Sequence, residues 1–190
     1  ELMFGGTLVG QQLHDLLVVL GRMKRHSLVD GNRIAVWGES LAEVNPPDRR
    51  TVVPLGIDEE PALSEPLGPL LALLAGVFEP DVKAVLTRGG LVSIRSVLDS
   101  QFVYLPHDVV IPGAMTAGDL SDLGAAIAPR RLRIDAPVTG LNQRATAEAI
   151  QKEWRSAVDS YSAGKSAKNL ELSPKKQPVA RWLIESLRRE

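Results

Sequence analysis

The sequence predicts an α/β fold in which helices cover both faces of a mostly parallel sheet. Short apolar runs of strand character alternate along the chain with longer segments of helical periodicity. The first run, residues 34–37, has no polar alternation, which is typical of a central strand covered on both faces. Strands that alternate with helices are joined by right-handed crossovers. We therefore expect one three-layer α/β/α domain over residues 1–190.

Four strands and six helices are expected within this domain, in addition to a short helix directly after the first strand. The strands are predicted at residues 34–37, 82–87, 131–135 and 169–172. The helices are predicted at residues 11–25, 70–78, 91–98, 119–127, 145–162 and 178–189. A long loop over residues 45–69, rich in proline and glycine, either lines a pocket or is a solvated surface loop; its acidic cluster of Asp58, Glu59 and Glu60 does not decide between the two.

Composition narrows the classes of function. The chain has 190 residues, 44% of them hydrophobic, so a packed core is expected. A net charge of -1 without a basic patch argues against a nucleic-acid partner. No apolar run is long enough to cross a membrane. The absence of cysteine excludes disulfides, and three scattered histidines make no metal motif, so neither a metal nor another cofactor is expected.

The most informative motif follows the first strand. Gly38-Glu39-Ser40-Leu41-Ala42 has the pattern Gly-x-Ser-x-small, and a helix is expected to start at Leu41. A strand, a tight turn and a helix are the context of a nucleophile elbow, in which the serine hydroxyl stands above the sheet. Gly38 would allow the tight bend. The alternative is an ordinary turn with a surface serine.

The chain also resembles bacterial α/β-hydrolases, in particular the acetyl-xylan-esterase and dienelactone-hydrolase-like branch. Residues 10–15, 29–30 and 33–40 carry the resemblance, and residues 118–123 and 128–132 look like that branch's approach to the strand that bears the catalytic acid. The match corresponds to the carboxyl-terminal part of a full hydrolase, so a truncated hydrolase-like fold is expected. The resemblance implies a small acyl ester substrate, Ser40 as nucleophile and the Leu41 N–H as an oxyanion donor.

The other catalytic residues of the family have no direct match. The loop after the third strand lacks a carboxylate, with Asp135 lying slightly early in the strand, and no histidine follows the last strand. His107, oriented by a carboxylate such as Asp119, is the candidate base of a rearranged triad, because triads are defined by geometry. The alternative for His107 is a structural role in its loop.

Two functions therefore compete. The first is a carboxylic-ester hydrolase that acts through Ser40, His107 and Asp119. The second is a non-catalytic hydrolase-like module with a degenerate triad, which binds a ligand or a protein partner. An unpaired sheet edge further predicts a homo-oligomer.

Overall fold

The centre of the protein is a sheet of four parallel strands. The structure is a computed structural model that describes residues 6–49 and 60–188. The strands lie across the sheet in chain order: β1 (Ile34–Glu39), β2 (Val82–Arg88), β3 (Arg131–Asp135) and β4 (Leu170–Ser173). The α/β class and the four strands predicted from the sequence are confirmed.

Seven α-helices lie in the described parts of the chain: α1 (Leu8–Lys24), α2 (Leu67–Phe78), α3 (Ala114–Ala117), α4 (Leu120–Ile127), α5 (Ala147–Glu153), α6 (Arg155–Ala163) and α7 (Ala180–Ser186). Local sequence determines where several of them start. The Thr7 hydroxyl accepts from the N–H of Gly10 at the start of α1, and Thr146 does the same for Ala149 in α5.

The helices that connect the strands lie on one face of the sheet. Right-handed crossovers that always step in the same direction place every connecting helix on the same side. The core on that side joins sheet residues such as Val85 and Ile134 to Leu73 of α2 and Ile127 of α4. On the opposite face, Trp182 of α7 packs on Ala84 and Leu86. The second helical layer is therefore much thinner than the first.

Three predicted helical segments differ from the structure. No helix follows β1: residues 40–49 are irregular, because Pro46 and Pro47 disfavour helix before them, and Asn45 instead donates its N–H to Asn142 O. Within residues 91–98 only a short 3-10 turn forms, Arg95–Leu98. The predicted helix 145–162 is broken into α5 and α6 at Trp154.

Candidate functional site

Ser40 directly follows β1 and does not form the tip of an elbow. Its N–H donates to the carbonyl oxygen of Arg88 at 2.8 Å, so the ladder between β1 and β2 continues past Glu39. Its side chain is buried, with 6% of the residue exposed, and its Oγ accepts from the N–H of Ala42 at 3.3 Å. Ser40 has no positive φ. The predicted elbow is therefore wrong, and so is its alternative, a turn with a surface serine.

Gly38 does not form the predicted bend but allows close packing between β1 and α2. It lies inside β1, and a Cβ there would approach the carbonyl oxygen of Gly68 to 2.1 Å. Its lack of a side chain therefore allows β1 to pack directly against the first turn of α2. The residue after Ser40, Leu41, is exposed, so the predicted oxyanion donor lies on an exposed segment and not at the start of a helix.

The structure places His107 and Asp119 on separate elements with separate surroundings. His107 is exposed and starts a 3-10 turn, His107–Val109. Asp119 caps α4: its carboxylate accepts from the N–H groups of Ile94 (2.7 Å), Arg95 (3.1 Å) and Leu120 (2.6 Å). Within residues 6–49 and 60–188, no hydrogen bond joins the side chains of Ser40, His107 and Asp119.

Asp122 completes the cap of α4. The N–H of Asp119 donates to Asp122 at 2.9 Å, and the Ser156 hydroxyl donates to it at 2.7 Å. These hydrogen bonds, the first above all, hold the pKa of the Asp122 carboxyl below its ordinary value. Asp119 and Asp122 together form a capping box, which explains why α4 starts at Leu120.

Asp135, at the end of β3, is the centre of a buried ionic cluster that the sequence analysis missed. It is fully buried, and its carboxylate accepts from Arg133 Nε (2.8 Å) and Nη2 (2.9 Å), Arg88 Nη2 (3.1 Å) and the N–H of Gln177 (3.1 Å). Arg88 and Asp135 occupy facing positions of β2 and β3. We call Arg88, Arg133 and Asp135 the arginine–aspartate cluster. Charged residues at the ends of adjacent apolar strands were the signal that could have revealed it.

Aromatic and acidic side chains surround the arginine–aspartate cluster. The Arg88 guanidinium lies 5.7 Å from the ring centre of Trp37, and that of Arg133 lies 5.8 Å from the ring centre of Trp182. Glu39 lies 3.5 Å from Arg88. Asp135, which the sequence analysis compared with the position of a catalytic acid, therefore binds two arginines, and no histidine among the described residues donates a hydrogen bond to it.

An apolar cavity of about 390 Å³ opens at the carboxyl end of the sheet. Its floor includes Thr87 and Gly90 at the end of β2, one wall is the first half of α2, and residues 105–116 lie opposite. Among the described residues of its lining, only two threonines and Trp154 have nitrogen or oxygen atoms in their side chains. Neither Ser40 nor the other predicted catalytic residues line it.

Two buried asparagines hold the loops beside the sheet's carboxyl end. Asn45 Nδ2 donates to the carbonyl oxygens of Ala62 and Leu141, each at 3.0 Å. Asn142 Nδ2 donates to Glu43 O at 2.7 Å and to Ala62 O at 3.0 Å. The loop that follows β3, where the resemblance places a catalytic acid, therefore contributes a structural amide.

Of the acidic cluster in the long loop over residues 45–69, Asp58 and Glu59 lie outside the described residues.

The described ranges contain neither a metal-ligand cluster nor a membrane-spanning helix. In residues 6–49 and 60–188, no group of three or more histidine, aspartate and glutamate side chains is placed to hold a metal ion. Among the helices of the same residues, none has the length and hydropathy needed to cross a bilayer.

The four-stranded parallel sheet with its helices is an α/β fold, and a solved structure shares it. A protein from Bacteroides fragilis, described as a "putative acetyl xylan esterase", has a similar structure, with a TM-score of 0.60 and 15% sequence identity. The similarity covers 90% of this chain and 37% of that protein, so it concerns the fold of a part of the larger molecule. No protein-family model matches the sequence, and no curated protein matches it.

Proposed function

We propose that this chain is a hydrolase-like module that binds an apolar small molecule in the cavity, without an efficient catalytic triad. One observation carries the proposal: the cavity is apolar and none of Ser40, His107 and Asp119 lines it. Its volume of about 390 Å³ is in the range of small-molecule sites. Burial of apolar ligand surface supplies the driving force, about 25 cal/mol per Å².

The hydrogen bonds of the three predicted catalytic residues support the same proposal. A serine hydroxyl is a weak nucleophile unless a positioned base takes its proton. In the described residues the Ser40 hydroxyl has one partner, the N–H of Ala42, and this group cannot accept a proton. The Asp119 carboxylate accepts three backbone N–H groups, so it is committed to the cap of α4.

Filling the cavity is expected to weaken ligand binding. Ala114 lines the cavity and is half-buried at the start of α3, so Ala114→Phe places a ring in the ligand space at a position that tolerates a larger side chain. We expect N-phenylnaphthylamine, an apolar fluorescent probe, to bind the wild-type protein at one site. The substitution should lower the affinity at least about tenfold, which is 1.4 kcal/mol.

Ala117→Phe is the matched control for this experiment. Ala117 ends the same helix, is exposed and does not line the cavity. Ala117→Phe should change the affinity for the probe by no more than about twofold relative to the wild type, because uncharged substitutions at the surface have small effects. Equal loss in both variants, or a wild-type protein that binds no probe, would remove the proposed function.

Ester hydrolysis through Ser40 is the second candidate. Two points favour it: the residues around Ser40 resemble the nucleophile motif of α/β-hydrolases, and the Bacteroides fragilis protein of similar structure is described as a "putative acetyl xylan esterase". In this reaction Ser40 Oγ would bond to the acyl carbon, its proton would pass to His107 and then to the leaving alcohol, and water would release the acid. His107 would first have to approach Ser40.

A serine-directed fluorophosphonate distinguishes the two candidates. We expect the folded wild-type protein to be labelled no faster than its Ser40→Ala variant, because no base in the described part of the chain is hydrogen-bonded to the hydroxyl. Mass spectrometry of the labelled peptide and release of p-nitrophenol from short-chain esters give the readouts. Fast, stoichiometric labelling of Ser40 together with hydrolysis that Ser40→Ala abolishes would establish the second candidate instead.

A further inference from the structure

Met115 lines the apolar cavity and is at the same time open to solvent. It is 45% exposed and lies on α3, the short helix that forms part of the cavity wall. This helix has no buried residue, and it lies between Gly113 and Gly118, which both have positive φ. Small molecules in solution can therefore reach Met115, and a change in its side chain alters the cavity wall and not the buried core.

Oxidation of sulfur in this chain is confined to methionine, because the sequence has three methionines and no cysteine. A hydroperoxide converts an accessible methionine into its sulfoxide. The Sδ lone pair bonds to one peroxide oxygen, the O–O bond breaks, and the proton of the transferred oxygen passes to the departing hydroxide, which leaves as water. Sulfur loses two electrons and the peroxide gains them. Methionine sulfoxide reductases reverse the change.

A sulfoxide at Met115 would make an apolar part of the cavity wall polar. The S=O oxygen accepts hydrogen bonds from water, and an apolar ligand that covers it removes that water. The hydroxyl of the next residue, Thr116, already donates to Gly113 O at 2.6 Å and so does not replace the lost water. A polar group that is desolvated without a new partner costs free energy. Oxidation of Met115 should therefore oppose the binding of an apolar ligand.

We propose that Met115 is a reversible oxidation site through which a hydroperoxide lowers the affinity of the cavity for apolar ligands. The inference rests on the proposed function, since it assigns a regulation to the same cavity. Met23 is the natural contrast. It is 44% exposed, but it lies on α1 and does not line the cavity. Both methionines are thus open to a peroxide, and only the oxidation of Met115 changes the ligand space.

Mild oxidation of three proteins tests the proposal. All carry Met3→Leu, because Met3 lies outside the described residues. One has no further change, one adds Met115→Leu, and one adds Met23→Leu. Each is treated with hydrogen peroxide, the peroxide is removed with catalase, and the affinity for N-phenylnaphthylamine is compared with that of the same protein before treatment. Peptide mass spectrometry measures the oxidation of each methionine.

The expected loss of affinity on treatment depends on Met115 alone. We expect a fall of about five- to tenfold in the protein that keeps both methionines and in Met23→Leu. In Met115→Leu the fall should be less than about twofold. Methionine sulfoxide reductases for both sulfoxide epimers should restore the affinity, which oxidation of tryptophan would not allow.

A second comparison needs no oxidant. Glutamine has a length similar to that of methionine sulfoxide and places a polar group at the same position. Met115→Gln should bind N-phenylnaphthylamine about five- to tenfold more weakly than Met115→Leu. The same pair at Met23 should differ by less than about twofold. Thermal unfolding of each variant checks that it is folded.

The outcomes separate this proposal from the proposed function. If the untreated proteins do not bind the probe, the proposed function fails. If they bind it and full oxidation of Met115 leaves the affinity unchanged, the cavity binds apolar ligands and the oxidation site has no regulatory effect. Oxidation of Met23 without oxidation of Met115 would also overturn the proposal, as would an equal loss of affinity in Met115→Leu.

Discussion

Asp135→Asn is expected to lower the free energy of unfolding by about 3–5 kcal/mol. The substitution preserves shape but removes the negative charge that neutralises Arg88 and Arg133 in the arginine–aspartate cluster. The Arg133 side chain is 4% exposed and that of Arg88 is 11% exposed, so water does not replace the lost partner. Urea-induced unfolding followed by tryptophan fluorescence measures the change.

Asp159→Asn is the matched control for the buried aspartate. Asp159 also pairs with an arginine, Arg155, at 3.2 Å, but its side chain is 63% exposed and the pair lies on the surface of one helix. The same substitution there should cost at most about 0.5 kcal/mol. If Asp135→Asn also cost less than about 1 kcal/mol, Glu39 and Glu171, which lie within 4.0 Å of the two arginines, would be sufficient counter-ions.

The sheet could be predicted from the sequence because its signals are local. Apolar runs bounded by turn residues located β1 to β4, and the alternation of strands with helices indicated that they are parallel. The sequence indicates the order of the strands in the sheet less directly. A sheet whose strands keep chain order places its crossover helices on one face, which explains why α7 is the one described helix that packs on Ala84 and Leu86.

The candidate site could be predicted only in part, because its geometry depends on contacts between distant residues. The motif around Ser40 has the residues of an elbow, but a hydrogen bond to Arg88, 48 positions further along, keeps the chain extended there. The periodicity of residues 145–162 predicted one continuous helix, whereas the structure has two helices that meet at the buried Trp154.

Asp119 and Asp135 also show that roles which depend on contacts between distant residues cannot be predicted from sequence patterns. Each is an acidic residue near the carboxyl end of the sheet, where a catalytic carboxylate would be expected from sequence. Three backbone N–H groups hold Asp119, and two arginines with one backbone N–H hold Asp135. Whether a carboxylate is available for chemistry therefore depends on its partners, and these come from segments that sequence patterns do not connect.

Gly38→Ala is expected to destabilise the protein by about 3 kcal/mol or more, because overpacking here meets backbone and not a flexible side chain. The added Cβ would lie 2.1 Å from Gly68 O, 2.4 Å from Gly68 C and 2.7 Å from Pro69 N. Relief requires α2 to move away from β1. Since Pro69 also lines the cavity, the shift should weaken binding of N-phenylnaphthylamine as well.

Gly21→Ala separates this packing effect from the general effect of replacing glycine. Gly21 lies within α1, and apart from the adjoining backbone of that helix no atom of the described residues comes within 4 Å of the Cβ that alanine would add. Alanine is the better helix former by about 1 kcal/mol, so this variant should be more stable than the wild type. The midpoint temperature of thermal unfolding should therefore fall in Gly38→Ala and rise in Gly21→Ala. A Gly38→Ala protein as stable as the wild type would show that β1 and α2 can separate without cost, and the close packing of Gly38 on Gly68 would then not be what fixes the cavity wall.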